Sequence, residues 1–202
     1  MAGAPVSVLD DPRWAKFNEE GFACSCGERH VGLFPIQMHT PKGWPGEPIY
    51  EPNAALRMDG NFLSQDLCVM EGKYFAMRMR LPLAMRGAEP AAFMYTIWAS
   101  LNQAEFEVYV DDARRSELRA NARAPARLVN NINGYVNSGG LMGSALHQED
   151  GGHPVLLLHG PQPDNDPNHT LLSDQRNGIG VDRALEPTDR MDVEVVGRFV
   201  QQ

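Results

Sequence analysis

A chain of 202 residues with 43% hydrophobic and 22% charged residues is long enough for one sizeable core and too apolar for wholesale disorder. Its formal net charge of -8 and isoelectric point near 5.2 would repel a polyanion, so nucleic acid is not an expected partner. No apolar run approaches the roughly 18 residues that span a bilayer, so no membrane partner is expected either.

Residues 1–20 read as a polar N-terminal extension, with Trp14 and Phe17 as its anchors. The opening Met-Ala-Gly-Ala-Pro-Val-Ser-Val-Leu-Asp-Asp has neither a basic n-region nor an apolar h-region, so it does not read as a signal peptide. Three cysteines make an odd count, which argues against a secreted disulfide framework. Reduced thiols and a cytoplasmic location are the expectation. Residues 21–202 then read as a single domain.

Two of the cysteines and a histidine crowd into Phe22-Ala23-Cys24-Ser25-Cys26-Gly27-Glu28-Arg29-His30. Thiolates and an imidazole on one turn suit tetrahedral zinc, and Gly27 lets the backbone fold both sulfurs toward one point. Cys68 is the natural fourth ligand and His39 its substitute. The single residue between the cysteines is tighter than the spacer usual in zinc sites. Three readings therefore stand: one structural zinc on Cys24, Cys26, His30 and Cys68; buried thiols without a metal; or a redox or catalytic role.

Residues 35–61 carry five prolines with little periodicity and read as a long insertion or surface loop, a length that is uncommon without a function. Leu67-Cys68-Val69-Met70 reads as a short strand and Glu71-Gly72 as a turn. Tyr74 to Leu81 alternates, with Phe75, Met77, Met79 and Leu81 on one face and Tyr74, Ala76, Arg78 and Arg80 on the other, the pattern of a half-buried hairpin strand. Pro82 is expected to end it. Phe93 to Ser100 is the next strand.

Asn102-Gln103-Ala104-Glu105 has capping-box spacing, and Phe106, Tyr109, Val110 and Ala113 make one apolar stripe, so a helix is predicted here. Pro125 is expected to open a second, short helix through Leu128, Val129 and Ile132, stopped near Gly134. Residues 136–143 read as a loop, and Ala145–His147 and Val155–His159 as strands around Asp150-Gly151-Gly152. Asp166-Pro167 should open a third helix that Gly178 stops. Val181–Leu185 reads as a helical turn and residues 191–196 as a final strand. The predicted class is α+β: a mostly antiparallel sheet with about three helices packed on it.

Several polar groups invite a functional reading beside a structural one. Tyr74, Arg78 and Arg80 could bind an anion, although arginines on the solvent face of a sheet need no ligand. His169, Asp174 and Gln175 could wall a polar pocket or simply face water. Trp98, Ser100 and Asn102 sit where a strand hands over to a helix, a place that suits binding and capping alike. The glycines of residues 138–144 lack the Lys-Ser or Lys-Thr of a phosphate loop, and no serine-hydrolase elbow or His-Glu-x-x-His motif is present.

Four ordered motifs are recognisable: Cys24 to His30; Phe62-Leu63-Ser64-Gln65-Asp66-Leu67-Cys68-Val69; Ile97-Trp98-Ala99-Ser100-Leu101-Asn102 ahead of Phe106; and His169-Thr170-Leu171-Leu172-Ser173-Asp174-Gln175-Arg176-Asn177-Gly178-Ile179. Together they resemble the uncharacterised bacterial family named domain-of-unknown-function 2199, over roughly Phe22 to Glu186. The resemblance implies a small bacterial cytosolic α+β protein and carries no activity to transfer.

The leading expectation is a non-enzymatic binding or interaction protein with a protein or small-molecule partner, which one structural zinc would pin if the zinc reading of the cysteine stretch holds. The rival is a small metal-dependent hydrolase or other enzyme, in which the metal keeps an open position and His30, Asp66 or His169 completes a pocket. A homodimer formed through an exposed apolar strand face is a further alternative.

Overall fold

Glu71 and Gly72 both adopt left-handed backbone, with φ of 55° and 63°, the positive φ that the two central residues of a type I′ turn require, and Lys73 N donates to Met70 O at 3.0 Å across the turn. The turn joins β5 (Leu67–Met70) to β6 (Tyr74–Ala84), antiparallel in the register Leu67 with Met77 and Met70 with Tyr74. The predicted hairpin is therefore present. The computed structural model describes residues 8–15, 19–20, 22–23, 29–31, 36–88, 90–115, 122–148, 152–160 and 166–184.

The described chain adds β1 (Phe22–Ala23), β2 (Arg29–His30), β3 (Ile36–Gln37), β4 (Phe62–Leu63), β7 (Ala92–Leu101), β8 (Arg123–Leu128), β9 (Met142–Leu146) and β10 (Val155–Leu158). Its helices are α1 (Pro12–Ala15), α2 (Gln103–Arg115) and α3 (Thr170–Asn177), followed by a helical turn at 181–184. Strands β1 and β2 form a separate antiparallel pair. The other eight run in the order β3-β7-β8-β9-β10-β6-β5-β4, and β7 also pairs with β6. That extra pairing closes β6, β10, β9, β8 and β7 into a five-stranded barrel. The β4–β5, β5–β6, β7–β8, β8–β9 and β9–β10 ladders are antiparallel, whereas β10 meets β6 in parallel at Val155 and Arg80. The class is α+β and mostly antiparallel as predicted; the closure is additional, because a period-two pattern reports buried faces and not which strand an edge will meet.

Two compact units make up the chain. One comprises Gln37–Leu81 and Tyr95–Leu172; the other draws on Met1–Ile36, Pro82–Met94 and Ser173–Gln202. In the first, Phe106 and Val110 are the buried face of α2, and Phe106 meets Phe75 of β6 with ring centroids 5.5 Å apart. Asn102 caps this helix, its Oδ1 accepting from Glu105 N at 2.9 Å. In the second, Met85 bridges Ile179 in parallel. Gly178, at φ +74°, stops α3 where a Cβ would lie 2.8 Å from the Ala84 carbonyl oxygen, so the predicted stop is there.

Three local expectations need correction. Pro125 does not open a helix. It lies in β8, where Ala124, Ala126 and Leu128 are buried and Arg123, Pro125 and Arg127 exposed, an alternation of period two. β8 meets β7 only at Arg127 and Leu128, so the missing N–H of Pro125 leaves that ladder intact. Pro82 does not end β6, which runs on to Ala84; the ladders to β5 and β10 stop at Met77 and Arg80, short of the proline. Arg78 does not face solvent: it is 2% exposed. The predicted strand at 191–196 lies outside the described residues. No helix among the described residues is long and apolar enough to cross a membrane.

Candidate functional site

The proline-rich stretch supplies a strap that is tied to the barrel by its carbonyl groups. Met38 N donates to Thr96 O at 2.8 Å. Beyond it, the His39 carbonyl accepts from three side chains: Tyr50 Oη at 2.8 Å, Arg78 Nη2 at 3.1 Å and Trp98 Nε1 at 3.1 Å. Trp98 Nε1 also reaches Met38 O at 3.1 Å. Asn130 donates to Thr40 O at 2.9 Å and accepts from Trp98 N at 3.2 Å.

Backbone oxygens that a loop would otherwise leave to water are thus met by side chains from β6, β7 and the segment after β8. Met38, Trp44 and Tyr50 pack against the buried Leu63, Cys68, Ala76 and Trp98. The strap therefore covers the second face of β6, and this is why Arg78 is buried. Its guanidinium carbon lies 4.9 Å from the Trp98 ring centroid. Burial pulls its pKa down, opposed by the Tyr50 hydroxyl and the Asp66 carboxylate.

Beside the strap, Ser64 shapes the turn between β4 and β5. Its hydroxyl accepts from Leu67 N at 2.8 Å and Asp66 N at 3.2 Å, which turns the Asp66 side chain outward. Asp66 Oδ1 meets His153 Nε2 at 2.8 Å, and Oδ2 accepts from Asn53 Nδ2 at 2.6 Å. Arg80 fixes the other partner by donating to His153 O from Nε at 3.1 Å and to Pro154 O from its backbone N at 2.8 Å. Both side chains of the pair are partly open, at 38% for His153 and 39% for Asp66.

The hydrogen bond from His153, joined by that from Asn53 and by the charge of Arg78, holds the Asp66 carboxyl below its ordinary range against the opposing effect of burial. An ionised carboxylate only accepts, so His153 Nε2 is the donor and Nδ1 keeps its lone pair when the ring is neutral. Nδ1 meets no hydrogen-bond partner among the described residues. The Asp66 charge also reaches Tyr109, whose phenol is pushed up to about 12, chiefly by burial. Tyr109 meets His147 edge to face at 5.0 Å.

Of the four predicted metal ligands, Cys24 and Cys26 lie outside the described residues. The His30 backbone pairs with Phe22, but its side chain is also outside them. Cys68 is buried among Leu63, Ala76 and Trp98, and burial pushes its thiol up to about 12, which keeps it neutral at physiological pH. No group of three or more His, Cys, Asp or Glu that could hold a metal occurs among the described residues. His39 serves the strap through its carbonyl group.

His169 accepts from Leu171 N at Nδ1, at 3.1 Å, and reaches Val136 O from Nε2 at 2.9 Å, so its ring caps the start of α3. Asp66, which the rival reading selected, does lie in a polar cluster. The residues that complete it, Asn53 and His153, were not singled out, and neither was Asn130. Trp44 and Tyr50, two aromatics inside a proline-rich run, were the available signal that this run packs on something.

No curated protein and no solved structure matches the chain. A family model described as an uncharacterized protein conserved in bacteria (DUF2199) matches residues 23–179, close to the span of the motifs. The chain belongs to that bacterial family.

Proposed function

We propose that the protein is a binding protein and that its ligand surface is the Asp66–His153 pair with Asn53. One observation carries this reading: both oxygens of Asp66 are engaged, at 2.8 Å and 2.6 Å, while the imidazole they orient stays partly open. Such a ring is pre-organised, since its tautomer and plane are set before any ligand arrives. Neutral, it offers Nδ1 as an acceptor to a ligand N–H or O–H. The rigid support comes from Arg80 behind the His153 backbone and from the Ser64 turn behind Asp66.

Titrating imidazole-labelled protein with small amides, alcohols and amines tests the reading. Binding fragments should move the His153 ring signals, lose affinity in His153→Ala and weaken in Asp66→Asn. Fragments that bind with the His153 signals unmoved, and equally well to both variants, would contradict it.

The same hydrogen bond favours a second reading as an enzyme, because a carboxylate that orients an imidazole is the base half of a hydrolytic site. Here His153 Nδ1 would take a proton from water as the water oxygen attacks an acyl carbon, and the leaving alkoxide would receive that proton. Two such groups fall short of the three protein ligands a catalytic zinc commonly takes, so this version needs no metal from the pair. Turnover of p-nitrophenyl acetate well above that of free imidazole, and lost in His153→Ala, separates it from simple binding.

A further inference from the structure

We propose that Arg78 and Trp44 form a binding site for a small oxyanion enclosed between the strap and the barrel. The site is distinct from the Asp66–His153 surface and does not depend on it.

Arg78 is 2% exposed and makes no ion pair with a carboxylate among the described residues. A guanidinium does not shed its proton in proteins, so a full positive charge stays buried. Its partners are neutral: the His39 carbonyl at Nη2, the Tyr50 hydroxyl and the face of Trp98. The acid whose field reaches it is Asp66, and both oxygens of that carboxylate already serve His153 and Asn53. Among the described residues the charge therefore lacks a counter-ion in contact.

A second group points the same way. Arg78 Nε and Trp44 Nε1 are both buried donors that meet no acceptor among the described residues. Trp44 packs on the cluster that holds Ala76 and Trp98. Ala76 and Arg78 are two residues apart on β6 and so project to one face, and Arg78 itself stacks on Trp98. One orphaned N–H thus comes from the strap and one from the barrel, and the cluster that holds Ala76 and Trp98 is common to their surroundings.

Leaving a buried cation uncompensated and two donors unmet is costly. An anion with bare oxygen acceptors removes both costs at once, and a cation or a pure donor removes neither. Both N–H groups are shut off from solvent, so the anion is small and becomes enclosed as the strap settles over it.

The test uses the full chain labelled with nitrogen-15, titrated separately with acetate and with inorganic phosphate against a chloride background of constant ionic strength. The Trp44 indole N–H and the Arg78 Nε–H are read. Saturable changes at both support the site; saturation with acetate alone identifies a planar carboxylate, and with phosphate alone a tetrahedral oxyanion. Trp44→Phe keeps the ring and removes one donor, so affinity should fall about tenfold with the remaining spectrum unchanged. Arg78→Gln should abolish binding. Non-saturating changes with both anions, or an affinity unaltered in Trp44→Phe, would overturn the proposal and leave a buried water as the partner of these groups.

Discussion

The guanidinium of Arg78 and the indole of Trp98 lie 4.9 Å apart and donate to the same acceptor, the carbonyl oxygen of His39. Two side chains from adjacent regions of the barrel thereby hold one point of a proline-rich strap. Removing the indole donor isolates this effect. Trp98→Phe deletes the bonds to Met38 O and His39 O and should destabilise the fold by about 1–3 kcal/mol. Denaturant unfolding measures the loss, and hydrogen exchange should show it concentrated in residues 38–50.

Asp66 gives a pH signature with a definite sign. Its folded pKa lies below the unfolded value of 3.8, so its contribution to stability is complete above that value. It is lost as the pH falls through the folded pKa, because the unfolded chain binds the proton first. Wild type should exceed Asp66→Asn in stability at neutral pH, and the two should converge on acidification. Urea midpoints measured from neutral to acidic pH check this.

His147 acts in a higher window. It is 7% exposed and its Nδ1 has no hydrogen-bond partner among the described residues. Burial pulls its pKa below 6.5, opposed by Asp112 and Glu105. The neutral ring is favoured in the folded state, so stability should decline as the pH drops below 6.5 toward the folded pKa. In His147→Gln that part of the slope should disappear, which thermal unfolding across this range would detect.

Cys68 should be inert while the protein is folded, since the thiolate is the reactive form and burial pushes the thiol up to about 12. In a Cys24→Ser, Cys26→Ser background, a disulfide reagent should modify no thiol in the native protein and one after denaturation. Rapid native modification would contradict the packing around Leu63, Ala76 and Trp98. Zinc content of the wild type, measured by elemental analysis, addresses the cysteine stretch separately: one ion per chain supports the structural-zinc reading, and none supports buried thiols without a metal.

Gly143 should tolerate no side chain. A Cβ there would stand 2.5 Å from the Leu157 carbonyl oxygen across the β9–β10 ladder. Gly143→Ala should therefore cost about 1–3 kcal/mol, the usual range for overpacking, as read from the denaturation midpoint.

Local rules reached much of the fold. The Glu71-Gly72 turn, the β5–β6 hairpin, the Asn102 cap and the Gly178 stop each depend on a few neighbouring residues, and each is present. Pro125 misled because proline suits both the first turn of a helix and a strand position that one neighbouring strand leaves unpaired, as β7 does here. Arg78 misled because its burial depends on a strap joined to it through His39 and Tyr50, which no alternation in β6 can report. The Asp66–His153 pair was half legible: Asp66 stood in a recognisable motif, whereas its partner lies 87 residues away. A hydrogen bond over that separation leaves no trace in spacing.

The most direct measurement of the site is the tautomer of His153, read from its ring nitrogen shifts at a mildly alkaline pH where imidazoles are neutral. An Asp66-oriented ring should carry its proton on Nε2, with Nδ1 bare, and should lose that bias in Asp66→Asn. A proton on Nδ1, or the same tautomer mixture in both proteins, would mean that Asp66 does not orient the ring.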